Sequence, residues 1–225
     1  MPTAESVRTE PSRRAATVVA AVVAVVLGVA TWISITAVQA INREADAAPP
    51  QMVHAVPATY QPGVPAAPAA KAVPLPMGNW TSQRGVQIAR RALQWRGWPY
   101  SFGAGGPDGP SYGFAVDKDS RNDGTVRGFD CSGLTMYALA PWLTLVHDAA
   151  SQYMQVGSFH PSIDSLQPGD FVFWSGNGTV NGIGHVAVYV GDGKVVQAPR
   201  SGDVVRVTPI YEVESGTMGA TRPLT

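Results

Sequence analysis

The sequence predicts an α+β domain built on an antiparallel sheet. Three observations point there: two helical stretches come early, four β-branched or aromatic runs come late, and glycine turns separate those runs. The domain is expected to occupy residues 78–225, beginning near Asn79. Thr81 or Ser82 caps a first helix that sets Val86, Ala89, Ala92 and Leu93 on one side and leaves Arg90 and Arg91 partly exposed. It ends before Gly97 and Pro99. From Gly103 to Gly128 the chain is rich in Gly, Pro, Ser and Asp without sustained periodicity, which reads as a long surface loop. A short helix follows from Cys131 to about Ala140, stopped by Pro141. The strand-like runs are Phe171–Trp174, His185–Val190, Lys194–Ala198 and Val204–Thr208.

Upstream, residues 1–14 carry Arg8, Arg13 and Arg14, and residues 15–42 contain no charge. That uncharged stretch exceeds the ~20 residues a helix needs to cross a bilayer. The arginine bias would keep the amino end in the cytoplasm and the domain outside. The alternative is a signal peptide cleaved near Val38-Gln39-Ala40, although its apolar core would exceed the usual ~7–15 residues. A buried core helix fits poorly, because the run has no polar face. Residues 43–77 are Ala/Pro-rich and read as an extended spacer holding an inert, solvated His54.

Lys and Arg total 16, as do Asp and Glu, so no field of one sign exists to gather nucleic acid. A single cysteine excludes an intramolecular disulfide. Cys131 is therefore a spectator, an intermolecular link or a reactive thiol. It stands at a predicted helix start, where unpaired amides favour a thiolate. Asp130 opposes this, since a carboxylate beside a thiol raises its pKa. The thiolate then needs a histidine partner.

His147 and His160 fall in irregular sequence and read as solvated or locally hydrogen-bonded. His185 opens a strand after Gly182 and Gly184, which makes it the candidate base. Alternation sets His185, Ala187 and Tyr189 on one face, toward a cleft, and Val186, Val188 and Val190 on the other, toward the core. If Gly191-Asp192-Gly193 forms a three-residue hairpin loop, Gln197 lies opposite Ala187 and diagonal to His185, where it could orient the imidazole. A two-residue loop would flip Gln197 to the opposite face. On spacing alone, a buried structural cysteine and a structural strand-end histidine remain open alternatives.

Four ordered motifs carry a resemblance: Phe129-Asp-Cys-Ser-Gly-Leu134, Leu166-Gln-Pro-Gly-Asp-Phe-Val-Phe173, Gly184-His-Val-Ala-Val-Tyr-Val190 and Val195-Val-Gln-Ala-Pro199. Together they resemble the NlpC family of cell-wall cysteine peptidases over about Val86–Val207. The resemblance implies a papain-like domain whose helices pack on an antiparallel sheet, needing no cofactor or metal. It implies hydrolysis of the D-glutamyl to diamino acid bond in peptidoglycan stem peptides, with Cys131 as nucleophile and His185 as base. The third position, often a histidine in the family, is Gln197 here. Asp130, Ser132 and Tyr100 match residues near the substrate.

The segment between Gly106 and Gly128 is longer than the family's brief link and could narrow the cleft. Within it Asp119, Asp123 and Gly124 approach a calcium-loop spacing, but Arg121 stands where an oxygen ligand belongs. Gly103-Ala-Gly-Gly106 precedes no helix and is a weak phosphate-loop candidate. Two other functions stay open: a non-catalytic wall-binding or assembly module, and a thiol amidase or acyltransferase on another substrate. The expected location is the outer face of the cytoplasmic membrane, or secretion if the leader is cleaved.

Overall fold

A computed structural model of the chain describes residues 36–46, 79–213 and 216–224. The chain divides into two units, residues 1–37 and 38–225. The predicted tail 1–14, residues 15–35 of the predicted membrane span and residues 47–77 of the spacer lie outside the described residues. Among the described residues no helix is long and apolar enough to cross a membrane.

Residues 36–46 form a helix, α1. Its last turn takes in residues 43–46 of the predicted linker, just ahead of the Ala/Pro-rich stretch that begins at Ala47. No proline falls between Pro11 and Pro49, and Ile41 and Ala45, one turn apart, are buried. Within the second unit, Arg96 Nη1 donates to the Ala45 carbonyl at 2.9 Å, Arg90 pairs with Glu44 at 3.5 Å, and Lys194 pairs with Asp46.

Helix α2 spans Ser82–Leu93 and is capped by Thr81, whose hydroxyl accepts the Arg84 amide at 3.1 Å. Val86, Ile88, Ala89, Ala92 and Leu93 are buried, so the predicted apolar face is the packed one. Helix α3 spans Cys131–Leu139. Arg91 of α2 donates to the Tyr137 and Ala138 carbonyls, satisfying part-buried acceptors at the end of α3 where its dipole favours a cation. A fourth helix, the short α4 (Ala149–Gln155), was not expected.

The loop from 103 to 128 is more ordered than its composition suggests. It holds a two-stranded antiparallel ladder, β1 (Ser111–Tyr112) with β2 (Arg127–Gly128), and a single 3₁₀ turn at Asp123–Thr125. A buried carboxylate supplies the order: Asp123 accepts the Phe102 amide at 2.7 Å and the Ser201 hydroxyl at 2.6 Å.

The main sheet is antiparallel with order β6-β5-β4-β3-β7: β3 is Phe171–Ser175, β4 Ile183–Gly191, β5 Lys194–Gln197, β6 Arg206–Pro209 and β7 Thr217–Thr221. Four of these were predicted; β7 was not. Helices α2, α3 and α4 all contact β4. On the opposite face Val172, Trp174, Ala187, Val195 and Ala220 form a second apolar layer, covered by Leu166, Tyr189, Ile210 and Val213. This corrects the expectation that the His185-Ala187-Tyr189 face is simply open to a cleft. Only its leading end, at His185, serves the site, because the segments around 166 and 210–213 close over the rest. Arg222 and the fully buried Asp170 fasten that end of the sheet by two charge-assisted bonds of 2.9 and 2.8 Å.

Candidate active site

The site begins at the first turn of α3. Asp130 is its N-cap: Oδ1 accepts the Gly133 amide at 2.7 Å and the Ser132 hydroxyl at 3.0 Å, while Oδ2 accepts the Gly103 amide at 3.0 Å. Gly133 permits the neighbouring loop to lie against this turn, since a Cβ there would meet the Ala104 carbonyl oxygen at 2.1 Å. Asp130 and Ser132 are both buried, and their side-chain oxygens are engaged within the protein.

Cys131 is thus fixed as the first helical residue, with partial exposure to solvent. Its sulfur lies within hydrogen-bonding reach of the amides of Val186 and Ser132, which favour the thiolate. Burial outweighs them and, with the Asp130 charge adding to it, pushes the thiol up to about 12. The helix start alone thus does not yield a thiolate: the amides of Val186, Ser132 and Cys131 itself do not offset desolvation plus an adjacent carboxylate.

Val186 immediately follows His185, so the thiol and the imidazole come from adjoining parts of the fold. His185 is 4% exposed and packs its ring 5.5 Å from that of Trp174, its cross-strand partner. Its Nε2 lies 2.8 Å from Gln197 Oε1, and Gln197 Nε2 donates to Thr208 Oγ1 at 3.0 Å. With the glutamine oxygen as acceptor, Nε2 carries the proton and Nδ1 is the basic nitrogen.

This contact depends on strand register. The β4–β5 connection is a two-residue turn, Gly191 pairing with Lys194, with Asp192 and Gly193 both at positive φ (49° and 68°). Such a turn alone would have put Gln197 on the wrong face. A β-bulge between Tyr189 and Gly191 restores the parity: Tyr189 pairs with Val195 and Val188 with Val196.

Tyr100 is 9% exposed and is held by its amide to the Asp203 carbonyl at 2.9 Å. Burial, then the charges of Cys131 and Asp130, push its hydroxyl far above the ordinary tyrosine value, which keeps it a neutral donor beside the sulfur. Asp130, Cys131 and Ser132 thus share the first turn of α3, Tyr100 lies within electrostatic reach of Cys131 and Asp130, and His185 pairs with Gln197 at the head of β4–β5, one residue before the amide that meets the sulfur.

Two contributors were missed. His147 Nε2 lies 2.9 Å from Asp130 Oδ1, and this hydrogen bond raises the histidine's pKa. Gln152 sits behind the first turn of α3, fully buried: its Nε2 donates to the Ser132 carbonyl at 3.0 Å and its Oε1 accepts the Thr135 hydroxyl at 2.6 Å. His147 and Gln152 stand five residues apart around the cap of α4, a spacing that carries no chemical signature by itself. His160, expected to be solvated or locally hydrogen-bonded, instead reaches across the fold, with Nδ1 3.1 Å from the Ala220 carbonyl oxygen of β7.

Beside Tyr100 opens a polar groove of about 610 Å³, walled by Phe102, residues 116–122 and Arg200-Ser201. The 106–128 segment therefore forms one side of it. Asp123 spends its side chain on Phe102 and Ser201, and no group of three or more His, Cys, Asp or Glu side chains is arranged to hold a metal ion among the described residues.

The sequence profile described as the NlpC/P60 family matches residues 97–219, more than half of the chain. The chain belongs to the NlpC/P60 family. Its α+β fold with an antiparallel sheet is that of solved P60 domains. A peptidoglycan endopeptidase, RipA of Mycobacterium tuberculosis, is 38% identical over 152 residues, which is 66% of this chain and 29% of RipA. A solved structure of RipA, mutated at a glutamate, is 34% identical with a TM-score of 0.52 over 63% of this chain and 62% of that one. The gamma-DL-glutamyl hydrolase of Bacillus subtilis is 32% identical over 117 residues, covering 52% of this chain and 24% of its own length. RipD of Mycobacterium tuberculosis, described as a non-catalytic NlpC/p60 domain protein adapted to peptidoglycan binding, is 29% identical with a TM-score of 0.50 over 62% of this chain and 97% of that one. The chain spans less than a third of the length of RipA and of the glutamyl hydrolase. The histidine and the glutamate mutated in two solved RipA structures stand twelve residues apart, the separation of His185 from Gln197.

Proposed function

We propose that this NlpC/P60 chain is a peptidoglycan endopeptidase that hydrolyses stem peptides at the D-glutamyl to diamino acid bond by a thiol mechanism. The observation that carries the reading is the ordered contact from Gln197 to His185 Nε2, with the Cys131 sulfur at the amide of the next residue. His185 Nδ1 takes the thiol proton as sulfur attacks the glutamyl carbonyl carbon. The C–N bond breaks, the amine leaves with that proton, and a thioester to Cys131 remains. Water then gives a proton to Nδ1 and attacks the thioester, releasing the acid and restoring the thiol.

Gln197 is a positioning residue: it fixes the tautomer but brings no charge to stabilise the imidazolium. Tyr100 offers a neutral hydroxyl to the substrate beside Cys131. Asp130 and Ser132 shape the floor of the site. The uncharged stretch 15–42 behind three arginines supports a location at the outer face of the cytoplasmic membrane, with secretion as the alternative.

A second reading has a specific observation behind it. Gln197 stands at the spacing where RipA carries a glutamate, and RipD is non-catalytic within the same fold, so a wall-binding role without hydrolysis is the competitor. Mass spectrometry of purified wall incubated with the full chain separates the two. The hydrolase reading expects new stem fragments that vanish in Cys131→Ala and His185→Ala. Wall that is bound but left intact by the unsubstituted protein would favour the second.

A further inference from the structure

The groove beside Tyr100 has a charge pattern that the fold itself does not consume. Lys118, Arg121 and Arg200 line it, all exposed, and none has a carboxylate within 4.0 Å among the described residues. Of the two carboxylates in the lining, Asp117 is turned into its own loop. Its Oδ1 accepts the Asp119 amide, the Ser120 amide and the Ser120 hydroxyl at 2.8–2.9 Å. These bonds, with the charge of Lys118 adding a smaller part, hold Asp117 below the ordinary carboxylate range. The lining thus sets three cations against two carboxylates, one of which, Asp117, spends its oxygen on its own loop and shares charge only with Lys118.

The wall carrying these cations is built, not slack. Asp117 closes the tip at residues 117–120, and the buried Asp123 ties its base to Phe102 on one side and to Ser201, next to Arg200, on the other. The two cation-bearing segments, 118–121 and 200, are therefore joined through one carboxylate. Tyr100 is shared: it lines the groove, and its hydroxyl feels the charge of Cys131. A peptide whose scissile carbonyl is held at the sulfur would extend an arm past Tyr100 into this groove.

We propose that the groove is a specificity subsite that takes a free carboxylate on the peptide substrate, with Lys118, Arg121 and Arg200 as its cations. The inference rests on the hydrolase reading for its substrate, a stem peptide, and adds which chemical form is chosen. Guanidinium forks match a carboxylate in two-pronged geometry and offer only donors, so a carboxamide, with its own N–H groups facing those donors, binds less well. A peptidoglycan whose stem carboxylates are amidated would be a poor substrate, and amidation would protect the wall from this enzyme.

The test compares two synthetic stem peptides, identical except that one bears free carboxylates and the other carboxamides. The full chain should favour the free acid by about tenfold in KM, equivalent to ~1.4 kcal/mol. The preference should shrink as salt is raised. In the Lys118→Ala/Arg121→Ala/Arg200→Ala variant it should disappear, and Arg121→Glu should tilt it toward the carboxamide. Equal KM values for the unsubstituted chain, or a triple variant that retains the preference, would overturn the subsite. If neither peptide is cleaved, calorimetric binding of the same pair to the Cys131→Ala chain decides. A roughly tenfold tighter Kd for the free acid, lost with the three cations, upholds the subsite without the hydrolase; equal affinities overturn it.

Discussion

Replacing Gln197 by glutamate tests whether the imidazole at His185 is the base and what the neutral third residue costs. The side chain is 2% exposed, and its oxygen lies 2.8 Å from Nε2. A charge at that distance attracts an imidazolium by ~6 kcal/mol at an effective dielectric of about 20. Burying the new carboxylate costs several kcal/mol, which consumes much of that. Thr208 softens the cost, because its hydroxyl, now an acceptor for Gln197 Nε2, can rotate to donate to the carboxylate. What survives in comparable pairs is a rise of ~1–3 pKa units in the partner, or about 1.4–4 kcal/mol. Since the thiol is held up to about 12 at rest, the thiolate–imidazolium form is scarce and should gain in proportion. Alkylation of Cys131 by iodoacetamide across pH reads this directly, without a substrate. The Gln197→Glu chain should react at least about tenfold faster near neutral pH, and kcat/KM on a stem peptide should rise in step. A folded variant that alkylates no faster, or faster alkylation with no gain in hydrolysis, would refute the assignment of His185 and Gln197.

The other expectations concern the supports of the site. Asp170→Ala leaves Arg222 without its buried partner and should cost about 3–5 kcal/mol in denaturant unfolding. Asp123→Ala strands the Phe102 amide and the Ser201 hydroxyl; it should cost about 1–3 kcal/mol and blur the acid-over-amide discrimination of the groove, read as KM on the two peptides. The pKa of His147 is raised mainly by its bond to Asp130, so the stability it contributes is fully present below the ordinary histidine value near ~6.5 and is lost as pH climbs through the raised value. His147→Ala should therefore destabilise the chain at pH ~5.5 by about 1.5–3 kcal/mol and have little effect at pH ~9, a contrast that thermal melts at the two pH values would show.

How far the residues alone could be read varies along the chain. Helix α3 was legible because Asp130 is a strong cap and Pro141 a firm stop, and α2 because Thr81 precedes a clear apolar stripe. The Gln197 contact was reached through a three-residue loop, whereas the chain uses a two-residue turn with a compensating bulge at Val190. A bulge leaves no mark in the alternation, so the position was anticipated and the device that produces it was not. Strand β7, Thr217-Met-Gly-Ala-Thr221, has neither β-branched density nor alternation and is a strand because β3 needs an edge partner. Helix α4 lacks an apolar stripe; the buried residue that ties it to α3 is the polar Gln152.

The same kind of contact explains why His147 escaped notice and why it matters at the site. Asp130 is indispensable as a cap, since it satisfies amides on both α3 and the Gly103 loop, yet its charge works against the thiolate one residue away. Removing the carboxylate would unfasten the first turn, so the remaining way to reduce that opposition is to place a cation against it from elsewhere. His147, brought in by the segment that enters α4, occupies that place at 2.9 Å, and only tertiary structure puts it there. Charged, it offsets Asp130 while the cap stays intact. Neutral, it leaves the full carboxylate charge beside the sulfur. Under the proposed thiol mechanism, the state of Cys131 is thereby tied to two histidines of different kinds: His185, proposed to exchange its proton with the thiol, and His147, which sets the local charge against which that exchange would occur.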